Sequence, residues 1–292
     1  MGVNDTPRPP ADLGETIARA ATARRPANAP HPLGSGAASP TAAMWQTAQE
    51  LYGLLSGLTP EQWSQPTRTE YGNVKDLVAH LIGVERYCVA AAAHRDDPLT
   101  GEDAAHTLVG RADIERLRDV AGAEVAGEWF DAAANTAAVL AGGADQRPID
   151  IHGLSLTTDL ALVFRAFELW AHMEDVCAAV GRSLPRLDGP RMGLMAATLV
   201  GALPAFFTDP DDGQRGRVAR LVLLGPGGGV ADLPLDPAAA GAAASVRLVA
   251  DVVDFCRVAS RRLPIDDLDR RVSGEPDLIT PVLAATASFA LD

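Results

Sequence analysis

The feature that most limits what this chain can fold into is a change of period along it. From Thr41 to about Leu203 the apolar residues recur at helical spacing; beyond Arg217 that spacing gives way to short runs rich in Val and Leu. Met44, Leu51, Leu54, Leu55 and Leu58 form one helical stripe, and Val74, Leu77, Val78, Leu81 and Val84 form a second. Thr59-Pro60-Glu61 separates the two, with Pro60 suited to a first helical position, and Asn73 is a natural N-cap for the second helix. A third helix is expected over 112–140, broken near Gly122 or Gly127. After a connection over 145–157, a fourth should start near Thr158-Asp159 and stop at Gly181. An Ala-rich fifth helix is expected over 190–203. Long amphipathic helices with these connections predict a four-helix bundle carrying an added helix.

The second half reads differently. Strands are expected over 217–224 and 230–235, joined by Gly225-Pro226-Gly227-Gly228-Gly229, with a helix over 245–262 and a weaker one over 277–290 interrupted by Pro281. The glycine-rich turn lacks the Lys-Ser/Thr of a phosphate loop and the spacing of a dinucleotide fingerprint, so it reads as a hairpin turn. The fold class is therefore α+β: a helical bundle over 41–208 and a small α+β domain over 209–292. Residues 1–40 are rich in Pro, Ala, Gly and Arg with few large apolar side chains, the composition of a disordered tail.

Charge narrows the partners. The formal net charge is −13, and residues 41–292 alone carry 21 basic and 35 acidic side chains. A nucleic-acid footprint or an anionic membrane surface needs the opposite sign. The longest apolar stretch, from Met192 to Phe207, contains Pro204, and no membrane span is expected. Cys88, Cys177 and Cys256 are widely separated and form no Cys-x-x-Cys pair, which suits a reducing, cytoplasmic setting and three small buried apolar side chains.

Six histidines remain as candidate chemistry. His31 falls in the tail, and His94, His106 and His152 fall at expected helix ends or loops without a partner at ligand spacing. His80 and His172 differ, because each lies within a strongly apolar helix. Glu168 and His172 are four residues apart and share a helical face. If the second and fourth helices bring His80 against that pair, the result is a two-histidine, one-carboxylate site with open coordination positions. That is the arrangement of catalytic zinc, and the same donors suit non-haem iron. The competing reading is a chance Glu/His pair on a helix face and a satisfied core histidine.

The segment Trp45…Leu58-Thr59-Pro60-Glu61-Gln62-Trp63…Val74-Lys75-Asp76-Leu77-Val78-Ala79-His80-Leu81 resembles the first half of the mycothiol-dependent maleylpyruvate isomerase family, actinobacterial members of the DinB-like metal-dependent bundles. Glu168-Leu169-Trp170-Ala171-His172-Met173-Glu174-Asp175 resembles that family's second metal motif. Val253-Asp254-Phe255-Cys256-Arg257 and Val272-Ser273-Gly274-Glu275 resemble its sterol-carrier-like C-terminal domain. The resemblance covers about 41–290. It implies His80, Glu168 and His172 as ligands of a divalent metal, usually zinc, with mycothiol as thiol cofactor. It also implies a basic residue from the C-terminal domain that holds the substrate. Arg261 fits that place, and Arg262 is equally available.

A metal with open positions can hold a thiol as thiolate near neutral pH. In the isomerase reading the thiolate adds to a cis double bond, the adduct rotates, and the thiol is eliminated. In a second reading, a mycothiol S-transferase, it attacks an electrophile and stays attached. A third reading is a non-catalytic metal-containing binding or regulatory module. The two enzymatic readings imply a small thiol and a small electrophilic or unsaturated acid as partners.

Overall fold

A computed structural model describes residues 31–93, 108–142, 148–151, 154–207 and 213–289. Helix α1 (Pro40–Ser56) opens on Ser39, whose hydroxyl accepts from the Ala42 N–H, with Pro40 at the first helical position. A short α2 (Pro60–Trp63) carries a reciprocal cap between Thr59 and Gln62. The same device starts α3 (Val74–Ala92): the Asn73 side chain accepts from Asp76 N–H and the Asp76 carboxylate accepts from Asn73 N–H. Each cap satisfies backbone donors that have no partner inside the helix.

The expected third helix is two helices, α4 (Arg111–Arg116) and α5 (Gly122–Ala141). The break lies just before Gly122, where the Trp63 indole packs so closely that a Cβ would sit 2.2 Å from its ring. The connection to the fourth helix contains an antiparallel hairpin, β1 (Ile149–Ile151) and β2 (Leu154–Leu156), too short to show as a period. Then α6 (Thr158–Ala179) runs from its Thr157 cap to a left-handed Gly181, and α7 (Gly189–Ala202) follows. Helices α1, α3, α5 and α6 form the bundle, with α7 packed on α6 and α1. Trp129, Trp170, Met44, Leu51, Leu77 and Leu81 fill its core with essentially no exposure. The stretch Gly189–Phe207 is long and apolar enough by composition to cross a membrane, but half of it is buried in the protein.

The C-terminal part is a four-stranded sheet in the order β4-β3-β5-β6, with helices on one face. Strands β3 (Val218–Leu224) and β4 (Gly229–Pro234) form the expected hairpin. The helix expected over 245–262 is corrected: Val246–Asp251 is strand β5, parallel to β3, and only Val252–Ala259 is helix, α8. Along β5, Val246, Leu248 and Ala250 are buried while Arg247 and Asp251 are exposed, a period of two. Asp251 ends the strand and caps the helix, its carboxylate accepting from Val253 and Asp254 N–H. Arg270–Gly274 is edge strand β6, antiparallel to β5, a polar run with no apolar period to betray it. In α9 (Ile279–Ala287), Pro281 lies in the first turn, where its missing N–H costs nothing, so it does not interrupt the helix.

Of the expected tail, residues 1–30 lie outside the described residues. The part from His31 is placed along the sheet. Val230 N–H donates to His31 O at 2.8 Å and Leu33 N–H donates to Val230 O at 3.0 Å, covering the edge of β4.

Candidate metal centre

His80 on α3 and Glu168 and His172 on α6 converge, with one ligand-capable atom from each within 4.8 Å of the others. Both imidazoles are buried, and Glu168 is partly exposed. The helices that carry them belong to one bundle, so its tertiary packing makes the meeting that sequence spacing could only suggest. Tyr71 stacks on the His80 ring with centroids 3.7 Å apart. Gly110, at φ 108°, lays its backbone across α3; a Cβ there would sit 2.7 Å from the His80 Cα.

Each of the α6 donors is held from behind. His172 Nδ1 lies 3.0 Å from Asp175 Oδ2 and, with Asp175 ionised, donates to it. That bond leaves Nε2 as the lone-pair nitrogen, buried and without a hydrogen-bond partner among the described residues. The Nε2 faces Glu168 Oε1 at 3.9 Å. Glu168 Oε2 accepts from the guanidinium of Arg165, which also donates to buried Glu85 at 2.6 Å. Burial alone would lower the Arg165 pKa, but Glu168 and Glu85 raise it above the usual arginine value. Two imidazoles and a carboxylate, one of them with an orphaned buried nitrogen, fit a divalent ion of the zinc type.

Asp175 ties this centre to the C-terminal part. Arg262 Nη2 donates to its Oδ2 at 2.6 Å, and Arg68 Nε donates to its Oδ1 at 2.5 Å. Burial would raise the Asp175 pKa, yet the bonds from His172 and Arg262 hold it well below the carboxylate range. Next to it, Glu174 accepts from Arg257 Nη2 at 2.9 Å.

Arg261 and Arg262 part company here. The chain leaves α8 in a tight turn in which Arg261 takes a left-handed φ of 55° and Arg262 N–H donates to Arg257 O at 2.8 Å. That turn sends Arg261 outward, where its Nε donates to Ala287 O, and Arg262 inward to a cavity. The structure thus brings Arg262 to the centre, and not Arg261. The cavity, about 610 Å³, lies between the bundle and the C-terminal part; Glu168, His172, Arg165 and Arg262 are on its wall. His31 is exposed on the sheet edge, and His94, His106 and His152 lie outside the described residues. The sequence reading passed over Asp175, although a carboxylate three residues after His172 on one helical face was a visible signal. It also passed over the Glu85–Arg165 pair, whose members are eighty positions apart.

Bundle, three-donor centre and cavity define a class: a helical bundle that brings three metal-capable side chains together between facing helices, joined to an α+β unit. Residues 44–177 match the family model described as "Mycothiol maleylpyruvate isomerase N-terminal domain". His80, Glu168 and His172 all fall inside the matched stretch. The crystal structure of the mycothiol-dependent maleylpyruvate isomerase shares the fold at a TM-score of 0.52 and 14% identity, covering 79% of this chain and 91% of that one. A histidine-to-alanine mutant of that enzyme aligns at 0.51 and 12%, with the same coverage. No curated protein matches the chain.

Proposed function

We propose that the protein is a metal-dependent, mycothiol-using enzyme that works by thiolate addition, as a cis–trans isomerase of the maleylpyruvate type or a related thiol transferase. The observation that carries this reading is the convergence of His80, Glu168 and His172 beside a cavity whose wall includes Glu168, His172 and Arg262. A divalent metal held by these three side chains would supply the charge that keeps a bound thiol deprotonated near neutral pH.

The chain's own residues do the rest. Asp175 fixes the His172 ring and the tautomer with Nε2 as lone pair. Arg165 pins one oxygen of Glu168 and leaves the other toward His172. The side chain of Arg262, 8% exposed, is held by Asp175 and the Ser260 carbonyl. From there it presents fixed N–H donors to a substrate carbonyl, where negative charge grows as a thiolate adds to the conjugated double bond. Apolar surroundings keep bulk water from the adduct.

Metal analysis of the purified protein should give about one zinc-like ion per chain, and His172→Ala should remove most of it. Calorimetry should show binding of mycothiol that disappears with the metal. Unchanged metal content in His172→Ala, or thiol binding indifferent to metal, would overturn the reading.

A further inference from the structure

We infer that the substrate taken beside the thiol is an uncharged, largely apolar electrophile, an aryl- or alkyl-bearing enone or similar, and not a small dicarboxylate. The word substrate rests on the function proposed above, whose thiol-transferase form this ligand class selects over a maleylpyruvate isomerase; the ligand class rests on the cavity lining and its charges.

Away from Arg165, Glu168, His172 and Arg262 the lining is largely hydrocarbon. Leu156, Leu160, Phe164, Phe167, Phe206 and Phe289 form it, and small residues such as Gly201 and Ala205 leave the space between them. Phe289 packs edge-on against Phe164 and Phe167 with ring centroids 5.3 Å and 5.7 Å apart, so the wall is aromatic and fixed. Phe206 is 45% exposed and Leu154 40%, large apolar side chains at the rim where a soluble protein ordinarily places polar ones. A volume of about 610 Å³ is that of a small-molecule site.

Charge argues the same way. The cations on the wall, Arg165 and Arg262, are bonded to Glu85, Glu168 and Asp175, and Arg68 also bonds Asp175, so the bonded set holds three positive groups and three negative. A divalent ion would bring this set to two positive charges, and a thiolate would bring it to one. A dianionic substrate would then bring two negative charges against one net positive charge into a low-dielectric space, inside a chain of net charge −13. A neutral acceptor meets no such penalty. With an enone, the thiolate sulfur bonds to the β-carbon as the π bond breaks, and the proton the thiol gave up returns to the α-carbon. Nothing is oxidised, and no further reactant is needed.

The test uses the full chain and the neutral fluorescent probe N-phenyl-1-naphthylamine, with and without zinc. One probe should bind per chain, displaced by benzylideneacetone and unaffected by a ~100-fold higher concentration of maleate. Phe206→Ser, at an exposed position, should weaken the probe about fivefold. Leu160→Lys should expel it and make maleate a competitor, with the far-ultraviolet circular dichroism unchanged. Displacement by maleate at concentrations similar to benzylideneacetone, or a probe affinity that neither variant moves, would overturn the inference. Because this readout needs neither thiol nor metal, failure of metal-dependent mycothiol binding would sink the proposed function and leave the ligand class standing.

Discussion

Asp175→Asn tests the junction on which the centre depends. The carboxylate is fully buried and accepts from His172, Arg262 and Arg68 together. Asparagine keeps the shape and one acceptor oxygen but removes the charge. Arg68, 41% exposed, can return to water at little cost, whereas Arg262, 8% exposed, is left in the interior without its counter-charge. Breaking a buried pair costs about 3–5 kcal/mol, and the retained acceptor puts this case near ~3 kcal/mol. At about 2–4 °C per kcal/mol for chains approaching this size, the melting temperature should fall by ~6–12 °C. His172 loses its anionic acceptor at the same time, so zinc affinity should drop about 10- to 100-fold. Differential scanning calorimetry and zinc titration against a chromophoric chelator read the two effects. The native carboxyl has its pKa lowered, so its stabilisation is complete above the ordinary aspartate value of 3.8 and is lost as pH falls from there toward the native value. The gap between wild type and variant should therefore be full at pH 7 and close in acid. A variant that melts within 1 °C of wild type and binds zinc equally well would refute the account of Asp175 as the clasp between the two parts.

Arg262→Ala should abolish most turnover while Arg261→Ala leaves it within about twofold, as steady-state kinetics would show; equal effects would contradict the turn geometry at the end of α8. Gly110→Ala forces a side chain into a left-handed position against the His80 backbone; it should cost about 1–3 kcal/mol in urea unfolding and weaken zinc binding, and a neutral result would show that the loop can move aside. The three cysteines are buried, and burial pushes the Cys88 thiol up to about 12, so native protein should react negligibly with Ellman's reagent at pH 8 and yield three thiols in guanidinium; a fast native thiol would be contrary.

The helical half was legible because its signals are local. The Asn73 and Thr59-Pro60 starts, the Gly181 stop and the apolar stripes of α1 and α3 act within one or two turns, and the structure places them where the spacing does. The break before Gly122 could be narrowed to a neighbourhood but not located, because its cause is the Trp63 ring, some sixty residues earlier. Strand β5 was misread for a related reason: Val246 to Val253 satisfies a helical stripe and a strand alternation equally, and only pairing with β3 and β6 chooses between them. The Asp251 cap was the one local cue that a helix begins after it.

By itself the sequence determined that His80, Glu168 and His172 sit on apolar helices, two of them on one face, because side-chain direction on a helix follows from the 3.6-residue period. It equally determined the acidic net charge of −13. Tertiary structure alone decided that the three donors meet, that Arg262 turns inward and Arg261 outward, and that an aromatic cavity opens beside them. Those are contacts across eighty or more residues, set by how faces pack and by one left-handed turn, and no local rule along the chain encodes them.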